Sequence, residues 1–205
     1  MSRATPFVAP AIPYAAVLVG MHALHSAWAA MLLYHAGIVA IWLAAGRRPR
    51  PRALVEGARA RTAIPLVLVG LAVGPVVWLA WPHVALEPRM AEVLARFGLA
   101  GGSLAAFAVY SAFVNPALEE LFWRGVLLDE TRRPAPADAL FAGYHVLVLT
   151  LVVEWPFAIA AGLTIAAAAW LLRIAAVRCA GIAVPFASHV AADLAVIFAV
   201  WARLP

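Results

Sequence analysis

The sequence contains no lysine, and all fifteen of its basic residues are arginine. It has a single cysteine, Cys179, and only 12% of its 205 residues are charged. One cysteine excludes an internal disulfide and any metal site built from several cysteines, and its place beside Arg178 favours a small apolar filler at a helix end. Soluble domains carry about 25% charged residues, so the shortage of charge argues against a soluble protein.

The residues that are present are mostly apolar. The chain is 66% hydrophobic with a mean hydropathy of +0.94, which is typical of a protein that crosses the membrane several times. The net charge of +5 does not require a nucleic-acid partner, because the arginines lie in short segments between apolar runs. We expect a polytopic protein whose partners include membrane lipids and exclude nucleic acid.

The N-terminal half, residues 1–102, is predicted to hold transmembrane and interfacial helices. Residues 1–13 lack a clear cleavage site and are interpreted as a retained segment. The apolar run 14–46 favours one long span with an interfacial lead-in, although two spans would barely fit. A basic loop follows, which the positive-inside rule places in the cytoplasm. Its arginines are Arg47, Arg48, Arg50, Arg52, Arg59 and Arg61.

A second span is predicted at 64–81. Gly70 and Gly74 have the spacing that allows two helices to pack closely there. Residues 83–102 mix charged and apolar positions, which predicts an amphipathic helix on the outer surface, ended by Gly101.

The C-terminal half, residues 103–205, is predicted to be the helical core that carries the functional site, within one membrane domain. Its first span, 103–128, contains Pro116, where a kink is expected, and Arg132 and Arg133 mark the cytoplasmic end of that span. Three further spans are predicted at 138–153, 157–172 and 181–201. The fold class is therefore an all-α transmembrane bundle of about six spans, with one interfacial amphipathic helix.

Two carboxylates and a guanidinium lie inside the first span of this core, at Glu119, Glu120 and Arg124. Ionised groups at bilayer depth cost about 2.5–3.5 kcal/mol each, which favours a functional role. Glu120 and Arg124 stand one helical turn apart and can pair on one face. Glu119 projects about 100° away, which leaves it free to face a cavity and act as a general base.

Two later helices carry His145 and the pair His189 and Asp193, which again stand one turn apart. Measured from the arginine-marked end of each span, Glu119, His145 and His189 lie at similar depths, about 10–14 Å at 1.5 Å per residue. Scattered structural residues would seldom agree in this way. We therefore predict that the three helices share one polar site.

Other residues favour simpler roles. His22, His25 and His35 are expected to bond to backbone carbonyls or neighbouring helices, or to lie at the interface, and His22 with His25 is only a weak metal pair. Asn115 is expected to patch the kink, although it lies one turn before Glu119 and can reach the site. The serines lack a nucleophile-elbow context, and the nearby aromatic residues favour core packing. These residues are Ser111, Ser188, Phe122, Trp123 and Phe141.

Three motifs follow one another on successive apolar helices: Glu119-Glu120-x-x-x-Arg124, Phe141-x-x-x-His145 and His189-x-x-x-Asp193. Together they resemble the CPBP family of intramembrane proteases, which includes the type II CAAX prenyl endopeptidases and the bacterial Abi-like proteins. The resemblance covers about half of the chain, roughly 103–201. It implies that Glu119 and His145 activate a water. It also implies that His189 and Asp193 support the oxyanion of a tetrahedral intermediate.

Asp193 departs from the commoner pattern of that family, which ends in Asn, because an ionised carboxylate donates no hydrogen bond to an oxyanion. The extra carboxylate also leaves a zinc centre open as an alternative. Its ligands would come from Glu119, His145, His189 and Asp193. We favour water activation by Glu119 and His145 without a cofactor.

The resemblance implies an endopeptidase that acts on a membrane-associated or lipid-modified protein tail. We expect it in a bacterial-type inner membrane, with the site open to the cytoplasm. The main alternative is a non-catalytic scaffold, or a proton-coupled transporter that uses the same buried polar network. Against a transporter, the sequence shows no paired inverted halves.

Overall fold

The computed structural model describes residues 9–44, 46 and 50–205, and these residues fold into helices. The helices are α1 (Ala11–Val17, continued by the π-helical stretch Leu18–Ala23), α2 (Ala27–Ala44), α3 (Ala60–Val84), α4 (Met90–Arg96), α5 (Gly101–Val126), α6 (Pro136–Leu149), α7 (Trp155–Cys179) and α8 (Ala183–Trp201). Among the described helices, α2, α3, α5, α7 and α8 are long and apolar enough to cross a membrane, and α1 and α6 are shorter and apolar. The predicted helical membrane bundle is confirmed. Arg47, Arg48 and the start of the predicted retained segment lie outside the described residues.

The apolar run predicted as one long span is a helical hairpin. The close contacts between its helices are Gly37 with Ile12 and Gly20 with Ala30, so α1 and α2 run antiparallel. The chain reverses at His25, which has a φ of 48°. Ser26 Oγ then accepts a bond from Ala29 N at 3.1 Å. Of the two helices only α2 is long and apolar enough to cross a membrane, so the run holds one candidate span as predicted, and the serine that caps the start of α2 separates it from α1.

The amphipathic helix predicted at 83–102 is real but shorter. α3 runs on into this segment, and α4 alone carries the amphipathic pattern, with Met90 and Val93 buried in the core. Gly98, with a φ of 74°, follows the last turn of α4. Gly101 instead begins α5. The predicted boundary is wrong because a glycine in the left-handed region, and not the later glycine pair, ends the helix.

Three arginine-bearing segments, namely the loop before α3, the α5–α6 loop and the end of α7, gather at one end of the bundle. Backbone bonds join the loop before α3 to the turn between α7 and α8, from Ile182 N to Ala53 O at 3.3 Å and from Ala183 N to Glu56 O at 3.1 Å. Arg173, near the end of α7, donates to Arg133 O at 2.6 Å in the loop between α5 and α6. These three segments share one side, which is the distribution that the positive-inside rule describes, whereas Arg89 and Arg203 lie near the opposite end of α3.

α3 and α8 pack through the two glycines predicted for close helix contact. A methyl group added at Gly70 would lie 2.6 Å from Ser188 O, and one added at Gly74 would lie 2.5 Å from Ala195 O. Both distances are shorter than van der Waals contact and involve backbone atoms. The predicted role of the glycines is confirmed, and their contact fixes α8 in the bundle.

Replacing Gly70 with alanine is expected to destabilise the protein by about 1–3 kcal/mol, because the added methyl group over-packs a backbone contact. Gly102→Ala is the matched control, since nothing lies within 4 Å of a methyl group added there. Melting temperatures of the two purified variants in detergent test the prediction. Equal melting temperatures would contradict it.

Candidate active site

α5 changes its winding around the two carboxylates. It is π-helical at Tyr110–Val114, α-helical at Asn115–Glu119 and π-helical again at Glu120–Val126. Pro116 lies in the α-helical turn, between the two π-helical stretches. π-Helical turns inside longer helices occur frequently at functional sites. Glu119 and Glu120 lie at the second of these changes and are 1% and 0% exposed.

Glu120 and Arg124 form the predicted ion pair. Arg124 donates from one terminal nitrogen to Glu120 Oε1 at 2.9 Å. The guanidinium carbon also lies 4.6 Å from the centre of the Phe141 ring, a cation–π contact with α6. The pair neutralises two buried charges and joins α5 to α6.

His189 of α8 lies between three carboxylates. Its Nδ1 is 2.9 Å from Glu120 Oε1, and its Nε2 is 3.5 Å from Glu119 Oε2 and 3.7 Å from Asp193 Oδ1. The Asp193 side chain is 25% exposed, against 10% for His189. The structure therefore brings the motifs of α5 and α8 together, in agreement with the similar depths predicted for Glu119 and His189.

Glu119 is held on both carboxylate oxygens. Tyr144 of α6 donates its hydroxyl to Oε1, and the Asn115 amide lies 3.5 Å from Oε2, on the same side as His189. Donors from α5, α6 and α8 therefore surround the Glu119 carboxylate. Its orientation is fixed, which suits a group that must act in one geometry.

His145 lies beside this cluster on α6. Its Nδ1 is 2.8 Å from Phe141 O, one turn earlier, and its ring centre is 4.1 Å from that of Tyr144. Because a carbonyl oxygen only accepts hydrogen bonds, Nδ1 carries the hydrogen, and Nε2 keeps the lone pair of the neutral ring. His145 thus contacts the tyrosine that binds Glu119.

α2 contributes side chains to the site that were not predicted from the sequence. His35 is 5% exposed; its Nε2 lies 3.2 Å from Asn115 Oδ1, and its Nδ1 lies 2.8 Å from the Tyr110 hydroxyl. Trp123, predicted as core packing, is buried and donates its indole N–H to the Tyr34 hydroxyl at 2.7 Å. His35 bonds to a neighbouring helix as predicted, but that helix is the one that carries the carboxylates. The adjacent polar residues Tyr34 and His35, within an apolar span, were the feature of the sequence that could have indicated this contribution.

No group of three or more His, Cys, Asp or Glu side chains is arranged to hold a metal ion in the described part of the chain. The four residues considered as zinc ligands therefore do not converge as a ligand set. His22 and His25 are exposed. His22 Nε2 lies 3.3 Å from Leu147 O, the kind of backbone contact predicted for it.

A second buried ion pair lies at the arginine-bearing end. Arg173 is 2% exposed and binds the two carboxylate oxygens of Asp138 at 2.9 and 2.8 Å. It also donates to three loop carbonyls, those of Asp129, Thr131 and Arg133. Within this loop the backbone N–H of Thr131 lowers the pKa of Asp129. Arg173 therefore ties the α5–α6 loop to α7.

A family model matches part of this chain. Residues 101–195 match the model described as type II CAAX prenyl endopeptidase Rce1-like. The match begins with α5 and ends just past Asp193, so it contains every site residue inferred from the motifs. No curated protein and no solved structure matches the chain significantly. Residues 101–195 are therefore similar to the type II CAAX prenyl endopeptidases of the Rce1-like family, and the similarity covers the part of the chain that carries the three motifs.

Proposed function

We propose that this protein hydrolyses a peptide bond in a membrane-associated or lipid-modified protein tail, and that Glu119 and His145 activate the attacking water. The observation that carries the proposal is the carboxylate of Glu119, 1% exposed and contacted by donors from three helices. A carboxylate is costly at this depth in a membrane bundle. A general base gains from a fixed orientation, and this is the arrangement observed here.

His145 has the ring state that a base requires. Its Nδ1–H is committed to Phe141 O at 2.8 Å, so the lone pair of Nε2 is available to accept a proton. The backbone bond also fixes the rotation of the ring. These features support a role beside Glu119 in activating water.

His189 is suited to donate and not to accept. Both of its ring nitrogens face carboxylate oxygens, Nδ1 toward Glu120 and Nε2 toward Glu119 and Asp193. Since carboxylates only accept hydrogen bonds, the doubly protonated ring satisfies all of these contacts. A cationic N–H donor at this position would stabilise the oxyanion of a tetrahedral intermediate.

The proposed reaction needs no reactant other than water. As the water oxygen bonds to the peptide carbon, Glu119 or His145 takes the water proton, and the carbonyl oxygen becomes the oxyanion. When the carbon–nitrogen bond breaks, the proton passes to the leaving amine. A fixed donor to such an oxyanion contributes about 10²–10³ in rate.

The substrate tail is proposed to enter from the cytoplasmic side of a bacterial-type inner membrane. The basis for this orientation is the exposure of Arg132 and Arg133 at the end of α5 and their position at the same end as the loop before α3 and the end of α7. The positive-inside rule assigns such an end to the cytoplasm.

Cleavage of quenched peptides by the purified protein in detergent tests the proposal. The peptides form two matched sets, one prenylated near its C-terminus and one unmodified, each assayed with and without a strong zinc chelator. We expect cleavage that the chelator does not affect, with a preference for the prenylated set. Loss of cleavage with chelator would overturn the metal-free mechanism and favour zinc. If no peptide of either set is cut, the protease proposal is overturned and a scaffold or transporter is favoured.

A further inference from the structure

The site contains a carboxamide, that of Asn115, which the proposed mechanism uses only as a contact of Glu119. Asn115 is the only asparagine of the chain, which contains no glutamine. Its amide nitrogen lies 3.5 Å from Glu119 Oε2. The single side-chain amide of the protein therefore lies among the residues that surround the proposed reaction centre.

The direction of this amide is set by α2. His35 Nε2 faces Asn115 Oδ1 at 3.2 Å, and the Tyr110 hydroxyl lies 2.8 Å from His35 Nδ1. In the consistent pattern, Tyr110 donates to Nδ1 and His35 donates from Nε2 to the amide oxygen. The reversed amide would set its oxygen against the carboxylate of Glu119 and its N–H₂ against the His35 donor. The amide orientation with the N–H₂ group toward Glu119 is therefore electrostatically favoured.

An oxyanion needs donors, and the site is short of them. Asp193 accepts hydrogen bonds when ionised and donates none, so the described motif residues leave this task to His189. The Asn115 contact to Glu119, at 3.5 Å, is longer than the usual N–H···O distance of about 2.7–3.2 Å. Because this hydrogen bond is weak, the amide N–H can donate to a new acceptor at little cost in free energy.

We propose that Asn115 is a second oxyanion donor beside His189, and that His35 is a positioning residue that holds the amide toward the reacting carbonyl. This inference rests on the proposed protease function. It also extends the working site to α2, outside the family-matched residues 101–195.

Kinetics of the purified full-length protein test this role. Wild type, Asn115→Asp and Asn115→Ala are compared on the best peptide found above, and each is titrated with a phosphonate analogue of that peptide, which mimics the tetrahedral intermediate. We expect kcat to fall by about 10²-fold with KM little changed, and the inhibition constant of the phosphonate to rise by a similar factor. Asn115→Asp is nearly isosteric and controls for loss of packing.

Two further variants separate position from structure. His35→Phe is expected to lower kcat by about 10–100-fold, whereas His22→Phe, on the exposed face of the same hairpin, is expected to leave it unchanged. The double variant Asn115→Asp with Asp193→Asn keeps the net charge and returns one amide to the cluster. It is expected to recover part of the lost kcat, which a merely structural role of Asn115 does not predict.

The outcomes distinguish the two proposals. If wild type cleaves and the Asn115 variants keep kcat within about threefold, or change only KM, the donor role is overturned and the protease function stands. If wild type cuts no peptide, the protease function is overturned and the donor role falls with it.

Discussion

Replacing Glu119 with glutamine is expected to lower kcat by about 10²–10⁴-fold, the usual contribution of a general base. Glutamine keeps the size of the side chain and an oxygen that accepts a hydrogen bond from the Tyr144 hydroxyl. Its amide group does not take a proton from water. We expect the variant to fold and to bind substrate with nearly unchanged KM. Steady-state cleavage and melting temperature in detergent measure both effects.

The neighbouring ion pair supplies the contrast. Glu120 and Arg124 are 0% and 4% exposed, and removing either partner leaves the other charge buried, at a cost of about 3–5 kcal/mol. Glu120→Gln and Arg124→Leu are therefore expected to lower the amount of folded protein in the membrane. Glu154→Gln, at an exposed position, is the control. Equal loss of folded protein in the Glu119, Glu120 and Arg124 variants would contradict the proposed division between base and structural pair.

Replacing Arg173 with methionine is expected to destabilise the protein by about 3–5 kcal/mol, because it leaves the Asp138 carboxylate buried without its partner. The same change removes the donors to three carbonyls of the α5–α6 loop. Because this loop joins the helix of Glu119 to the helix of His145, we also expect lower kcat in the folded fraction. Thermal unfolding and cleavage by the purified variant measure the two effects.

Arg178→Met is the matched control, since Arg178 is exposed on the same helix. The double variant Arg173→Met with Asp138→Leu is expected to regain most of the stability, because it removes both charges of the pair. If Arg173→Met and Arg178→Met unfold at the same temperature, the guanidinium does not hold the loop.

Much of the bundle follows from composition and local periodicity. The apolar runs predict the long helices, and the spacing of Gly70 and Gly74 predicts a close contact, which α3 makes with α8. The Glu120–Arg124 pair follows from the geometry of one helical turn. These predictions are confirmed because each depends on residues that lie near one another in sequence.

The errors arise where a single local feature outweighs the average of a segment. Ser26 caps a new helix inside a run that is mostly apolar, and Gly98 ends α4 before the glycine pair is reached. Hydropathy averaged over many residues does not register either feature. The averaged hydropathy therefore does not predict the turn at His25.

The sequence by itself determined that this is a membrane protein, which helices carry its ionisable residues, and the depth of those residues along each helix. Only the tertiary structure decided that His35 faces Asn115 and that Tyr144 binds Glu119. It also decided that Arg173 of α7 is buried against the α5–α6 loop. The physical reason is that the rise of 1.5 Å per residue fixes the height of a side chain. The rotation and tilt of each helix, which decide the neighbour that a side chain meets, arise from packing against residues far away in the chain.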